Sequence, residues 1–463
     1  MNNKHVSIFL AIATVTVFSF WFSKSVSDIK RDALGYVHID SVSGAQSFYP
    51  RSAAELTLRA QAAQQGALTC IQKIIVCPAE QQNEKTMLRM YDRIVAYIAP
   101  VLNSAFLMTL VGNPALHDQA QRCYEKLGAF WKKEVEGNVA LYQAFKTYEQ
   151  GNAQHEQLSE QQRYFLTTIV TQAERAGVLL SEKDRERVSF LERRITEVSN
   201  QFRKNISNCS TKIGFSADEL AGIERDVLKA YQTGDGLFHL PLTYSLYGII
   251  LGHCSVESTR KKYCESFNNR NYPENEELLK QILKLRMELA QLLGFENYAD
   301  YALASMLCNT AQKAFDFEEA VLSDVLKKEE SKNTSLTTKQ DEWNVFYKES
   351  GQPNTEQKQP VFSDYFALEK TLQGILHVME KFFGVSIIRT SVTGMWSDKI
   401  ELLKIIDPNK QEILGYIFLD LYERKDKFNT SGFFFGTPRF KKSDGTPSPA
   451  VGTILEAFPS DSF

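Results

Sequence analysis

The chain has 463 residues, 43% of them hydrophobic and 24% charged, the composition of an ordinary folded protein. That length suits roughly two or three average domains, or one large two-lobed helical body. A net charge of −3, a pI near 6.2 and 53 basic residues spread along the chain exclude nucleic acid as an expected partner.

In chain order, the first distinctive segment is 6–22 (VSIFLAIATVTVFSFWF), which is uncharged and preceded by Lys4. A basic start, an apolar stretch of near-spanning length and the small-x-small trio Ser23-Lys24-Ser25 read as a secretory signal within 1–27. Phe20, Trp21 and Phe22 crowd the cleavage region, so an uncleaved membrane anchor stays open, as does a buried N-terminal helix. Either of the first two readings puts the body on the periplasmic or extracytoplasmic side; without a working leader it is cytoplasmic. Seven cysteines (70, 77, 123, 209, 254, 264 and 308) are odd in number and scattered, so no disulfide framework is implied. Export would permit a local Cys70–Cys77 bridge, although most of these cysteines read as small buried apolar groups.

Helix then follows helix. Good helix formers fill 53–67 and 87–110. Over 179–204 a Ser181/Asp184 capping pattern precedes Val188, Leu191, Ile195, Val198 and Phe202 on one face, with Arg185, Glu186, Glu192, Arg193 and Glu197 opposite. The 276–293 stretch carries a broad apolar stripe (Leu279, Ile282, Leu283, Met287, Leu289, Ala290, Leu293) and stops at Gly294. Segments 317–328 and 365–383 repeat the pattern, the second closing on Gly384. The polar 329–359 between them reads as an exposed connection. Near 400 the character changes: 402–406 and 413–422 are short, apolar and divided by Asp407-Pro408-Asn409, a hairpin pattern. Segments 431–435 and 450–458 add strands, with Asp444-Gly445 as a turn. The expected fold is mainly α: an elongated multi-helix body with a small C-terminal β-sheet. Its expected divisions are an N-terminal helical region at 28–175, a central helical region at 176–398 and an incomplete sheet at 399–463.

Catalytic patterns are missing. Neither a phosphate loop, a G-x-G-x-x-G run nor a G-x-S-x-G elbow occurs. Among the seven histidines (5, 38, 117, 155, 239, 253 and 377) no two stand four apart, so no helix turn offers two imidazoles to one metal. His155-Glu156 begins like a zinc motif and continues Gln157-Leu158-Ser159, a solvated stretch. His253-Cys254 with Cys264 lacks further ligands and reads as surface and core. His377 sits among apolar residues and reads as a packed or interfacial histidine.

Three stretches resemble one family nonetheless. They are 258–306 (STRKKYCESFNNRNYPENEELLKQILKLRMELAQLLGFENYADYALASM), 365–384 (YFALEKTLQGILHVMEKFFG, followed by Trp396) and 415–427 (GYIFLDLYERKDK). In this order they resemble the thimet oligopeptidase family of zinc metallopeptidases, the group of oligopeptidase A, peptidyl-dipeptidase and mitochondrial intermediate peptidase. The 179–205 helix agrees with that family's earlier long helix; the first 150 residues or so align only loosely.

The resemblance implies a helical two-lobed fold with a channel in which short peptides are hydrolysed. It also implies one zinc ion held by a His-Glu-x-x-His helix and a later glutamate. Those groups belong beyond the Leu419-Asp420-Leu421-Tyr422 strand. The expectation is therefore a chain truncated before its zinc site, or one half of a split gene. Such a chain has no catalytic or metal-binding residue, binds no zinc itself, and is inactive without a complementing C-terminal catalytic chain. Substrate-binding residues are unassigned. The alternatives are a non-catalytic helical scaffold that grips peptides or a partner, and a remnant without function. A smaller departure is Phe428-Asn429-Thr430-Ser431-Gly432, where the family commonly has Gly-His-Ala.

Overall fold

A computed structural model describes residues 39–331, 343, 366–428, 431–442 and 445–458. The 6–22 leader, its cleavage trio and most of the polar 329–359 connection lie outside the described residues. Among the described residues no helix is long and apolar enough to cross a membrane.

The chain divides into two compact units, one joining its N-terminal 179 residues to Val361–Phe463, the other spanning Leu180–Pro360. The first unit begins with α1 (Val42–Ser47), α2 (Ala53–Ile75), α3 (Leu88–Met108), α4 (Pro114–Trp131), α5 (Val139–Gln150) and α6 (Glu160–Arg175). Five of these six helices, all but α3, start where a side-chain oxygen replaces a missing backbone acceptor. Ser52 takes the Glu55 amide at 3.1 Å, Asn138 takes that of Leu141 at 3.0 Å, and Ser159 and Gln162 form a reciprocal capping box. Helix α2 runs eight residues past the expected stop at 67 because Cys70, Ile71 and Ile74 continue its buried face.

The second unit contains α7 (Glu182–Ser207), β1 (Lys212–Phe215), α8 (Arg225–Leu228), β2 (Phe238–Pro241), α9 (Tyr244–His253), α10 (Glu257–Asn268), α11 (Glu274–Leu292), α12 (Tyr298–Leu303) and α13 (Ala311–Ser331). Ser181 caps α7 through the Asp184 amide at 3.2 Å, as its sequence pattern anticipates. Val188 and Leu191 then pack against Leu289 of α11, with Arg187 and Glu288 paired across the rim. A separate core forms where Phe215, Leu240, Ile250, Tyr263 and Phe267 meet around the β1–β2 hairpin. Within the 329–359 segment, expected to be an exposed connection, Trp343 is half-buried. Its carbonyl accepts from Arg260 Nε at 3.1 Å, and the Lys261 ammonium lies 4.9 Å above its ring.

The chain returns to the first unit through α14 (Leu368–Phe383), which ends on Gly384 at φ +64°, the left-handed stop a glycine supplies cheaply. Then come β3 (Ser386–Ser391), β4 (Glu401–Asp407), β5 (Glu412–Tyr422), β6 (Gly432–Thr437), β7 (Phe440–Lys441), β8 (Pro447–Ser448) and β9 (Ala450–Phe458). Five of these form a sheet in the order β3-β4-β5-β9-β6, antiparallel except for β5–β9. The Asp407 carboxylate takes the Asn409 amide at 2.9 Å and closes the β4–β5 turn. The mainly helical fold with a small C-terminal sheet is thus the observed one; β3 and the β1–β2 pair are additions the sequence pattern misses.

One sheet face is core. Leu402, Tyr416, Phe418, Val451 and Leu455 share it and bury themselves among the residues of α1 to α6. Tyr49, 3% exposed, meets Trp396 and Phe418 edge-on at 5.1 and 5.4 Å, while its hydroxyl bonds Thr453 Oγ1 at 2.7 Å. Asn103 of α3 donates to the Gly436 carbonyl at 3.0 Å. N-terminal helices and C-terminal sheet therefore share one hydrophobic core.

Candidate functional site

The Leu419–Lys427 stretch builds a buried polar cluster in the first unit. Alternation along β5 turns Leu419 and Leu421 outward and Asp420 inward, where its side chain is only 3% exposed. Lys427 Nζ, 1% exposed, bonds Asp420 Oδ1 at 2.7 Å and three carbonyls, those of Asp420, Tyr422 and Glu456, at 2.7 to 2.9 Å. Arg424 donates through Nη1 and Nη2 to the two Asp420 oxygens at 2.7 and 2.8 Å, and Trp396 Nε1 donates to Oδ2 at 2.8 Å. Arg424 Nε also reaches the Val111 carbonyl at 3.1 Å, and the Phe428 amide bonds the Leu110 carbonyl at 2.8 Å.

Burial alone would raise the Asp420 carboxyl, but the bonds from Arg424, Lys427 and Trp396 outweigh it and hold the group below the usual carboxylate range. For Lys427 burial dominates: it lowers the ammonium, and the attraction of Asp420 only partly restores it. Both Asp420 oxygens, Lys427 Nζ, Trp396 Nε1 and all three Arg424 nitrogens are engaged. The cluster's work is to pin the loop entering β6 onto the turn between α3 and α4, not to handle a substrate.

What lies open is the sheet's outer face and its two edges. Leu403, Ile417, Leu419, Leu421 and Ile454 project outward, and α14 covers the β3–β5 half through Leu372 and Leu376. Among the described residues the β9–β6 half has no such cover. Phe433 and Phe435, 55% and 50% exposed with rings 6.2 Å apart, stand on it. Strand β6 pairs with β9 alone, so its other edge is an unpaired backbone among the described residues.

The residues singled out in the sequence do not converge. Glu156 accepts the Glu84 amide at 3.0 and 3.1 Å and the Tyr148 hydroxyl at 2.5 Å, an anchoring role, while His155 is exposed. Cys254 is wholly buried with its thiol toward the Glu219 carbonyl, whereas neighbouring His253 is exposed. Cys70 and Cys77 are both free thiols. His377, expected to be packed or interfacial, is not packed: it is exposed, because its flank of α14 faces a groove. Among the described residues no three histidine, cysteine or acidic side chains gather as a metal site.

A model of peptidase family M3 matches residues 250–455, which include the second-unit helices from α10 onward and the five-stranded sheet. Over that stretch the chain is similar to the thimet oligopeptidase family. It is 20% identical over 438 residues to a thimet-like oligopeptidase of Dictyostelium discoideum, covering 88% of this chain and 64% of that one. It is 24% identical over 383 residues to oligopeptidase A of Salmonella typhimurium (75% and 55%), and 27% identical over 333 residues to a probable thimet oligopeptidase of Arabidopsis thaliana (69% and 46%). The chain thus spans about half the length of the curated relatives it matches.

The functional features that sequence reading missed are the groove beside His377 and the cluster around Asp420. The family stretch 415–427 contains Asp420, Arg424 and Lys427, but nothing in their spacing tells that they meet Trp396 and Val111. The signal available was one carboxylate, Asp420, within the apolar run 413–422, followed at once by the charged run Glu423-Arg424-Lys425-Asp426-Lys427.

Proposed function

We propose that this chain is the peptide-binding and supporting body of a zinc metallo-oligopeptidase, acting on short peptides only when a polypeptide carrying His-Glu-x-x-His completes it. The observation that carries the reading is the half-covered outer face of a sheet that lies within the family match. The helical angle of 100° per residue sets Ile375, Val378 and Phe382 on the flank of α14 opposite His377, and all three are exposed. Together with Ile454, Phe433 and Phe435 they outline an apolar trough about two strands wide. Two strands occupy roughly 10 Å, which is one helix diameter. An amphipathic helix fits there, and exposed apolar surface of this kind marks an interaction site. The free edge of β6 beside it is suited to an extended peptide, which would add as a further strand.

No pair of histidines in the 463 residues is spaced to hold zinc from one helix, so the polypeptide alone supplies neither Lewis acid nor activated water. The reading further has segment 6–22 export or anchor the body, which cell fractionation with and without that segment checks. The decisive experiment mixes the purified chain with the His-Glu-x-x-His-containing remainder of oligopeptidase A and follows a quenched fluorescent peptide. Chelator-sensitive cleavage by the pair, and none by the chain alone, is expected. Stoichiometric zinc and cleavage by the chain alone would overturn the account of missing ligands. Peptide binding without any cleavage by the pair would move the chain to the scaffold reading.

A further inference from the structure

The other edge of the sheet carries a second feature, which the peptidase reading does not use. A groove of about 460 Å³, open to solvent, runs between α14 and β3. Glu369, Gln373, His377 and Glu380 line it from the helix, and Arg389, Ser391 and Glu401 from the strands. Arg389 pairs through Nη2 with Glu401 at 2.8 Å and through Nη1 with Glu369 at 2.6 Å, so its charge is already answered. Three carboxylates against one guanidinium leave two negative charges, and neither lysine of α14, Lys370 or Lys381, lines the groove.

The backbone beside the groove is equally specific. Among the described residues strand β3 pairs only with β4. The Ile387 amide is taken by Glu380 Oε1 at 2.8 Å, so it points away from β4. Antiparallel pairing alternates inward and outward groups, so the amides of Arg389 and Ser391 also point away from β4 and toward the open edge. On the groove face, Ser391 stands opposite Glu401, while Glu380 reaches Ile387. Negative charge therefore flanks Arg389 two residues away on each side along the strand.

We propose that this edge docks an extended basic segment of a partner polypeptide, which adds to β3 as a sixth strand and places two basic side chains, four residues apart, opposite Ile387 and Ser391. Charge complementarity selects a basic occupant over an acidic one, and the edge amides select an extended one over a helix. Even spacing puts both basic groups on the groove face; odd spacing sends one to the opposite face.

Fluorescence anisotropy at low salt tests this with the purified chain and three labelled eight-residue peptides of alternating Thr/Val background. One has lysines four apart, one has them three apart, and one has glutamates four apart. The four-apart lysine peptide should bind several-fold tighter than the three-apart one and more than tenfold tighter than the acidic one. Glu369→Gln with Glu380→Gln keeps the acceptor for the Ile387 amide and should weaken that binding about fivefold, the sum of two rim charges. Ser391→Pro removes an edge amide without touching the β3–β4 ladder and should weaken all three peptides alike. Equal binding of the two lysine peptides, or unchanged binding by the folded glutamine variant, overturns the proposal; circular dichroism confirms that each variant is folded.

Discussion

Replacing Asp420 by alanine is the sharpest probe of the cluster that fixes the β5–β6 loop. The substitution removes the acceptor of Trp396 Nε1, both Arg424 bonds and one of the four Lys427 bonds. Lys427, 1% exposed, then keeps its charge in the interior against carbonyl dipoles alone. Breaking a buried pair in this way costs about 3–5 kcal/mol. Lys427→Met is milder, about 1–3 kcal/mol, because Asp420 keeps Arg424 and Trp396 as partners. Since both substitutions remove the same pairing, the double variant should lose about 1–3 kcal/mol less than the sum of the singles. Urea unfolding followed by tryptophan fluorescence and by circular dichroism gives all four corners, and the two probes together test for a single transition. At roughly 3 °C per kcal/mol for a body of this size, Asp420→Ala should melt about 10 °C lower. A loss below about 1 kcal/mol, or strict additivity, would show that the charges are not coupled as their geometry requires.

The same carboxylate sets an acid limit. Its folded pKa lies below its unfolded one, so its contribution is complete above about pH 4 and is lost as the pH falls through the folded value. The melting difference between the natural chain and Asp420→Asn should shrink below that pH, and a difference constant from pH 7 to pH 2 would contradict it. Ser181→Ala removes the α7 cap and should cost about 1 kcal/mol in chemical denaturation. Gly112 holds φ +66°, and a Cβ there would stand 2.8 Å from the Lys425 carbonyl and the Lys427 amide. Gly112→Ala should therefore cost at least about 1–2 kcal/mol and expose Lys425 to trypsin, which limited proteolysis reads directly.

Local pattern carried the features that local physics decides. The α7 cap, the α11 stripe, the Asp407 turn and strands β4, β5, β6 and β9 were readable because capping oxygens, periods of 3.6 and 2, and turn residues act within a few positions. Strand β3 was missed because Ser386–Ser391 is half polar and follows a helix stop directly, so only its pairing with β4 makes it a strand. The sharing of one core by α1 to α6 and the sheet was invisible for the same reason: Tyr49 and Thr453 meet across 404 positions, and no period records that. The packed alternative for His377 fails because a helix with apolar neighbours looks like core, whereas α14 buries only part of its circumference and leaves that flank open.

The Asp420 cluster also shows why a constellation of charged residues is not by itself a site. Aspartate, lysine, arginine and tryptophan converge within hydrogen-bond distance, a set that would invite a catalytic reading if it lined a cleft. Three features deny it that role. The carboxylate is 3% exposed, so no substrate atom reaches it; each donor already has its acceptor; and the carboxyl is held in its ionised form, so it does not release a proton near neutral pH. What the cluster does is keep β6 in register at the sheet margin, with Phe433 and Phe435 outward and one edge unpaired. Function in this chain is therefore to be sought in what the fold leaves unsatisfied, the uncovered half of the outer face and the two free edges, rather than in the charges it has already matched.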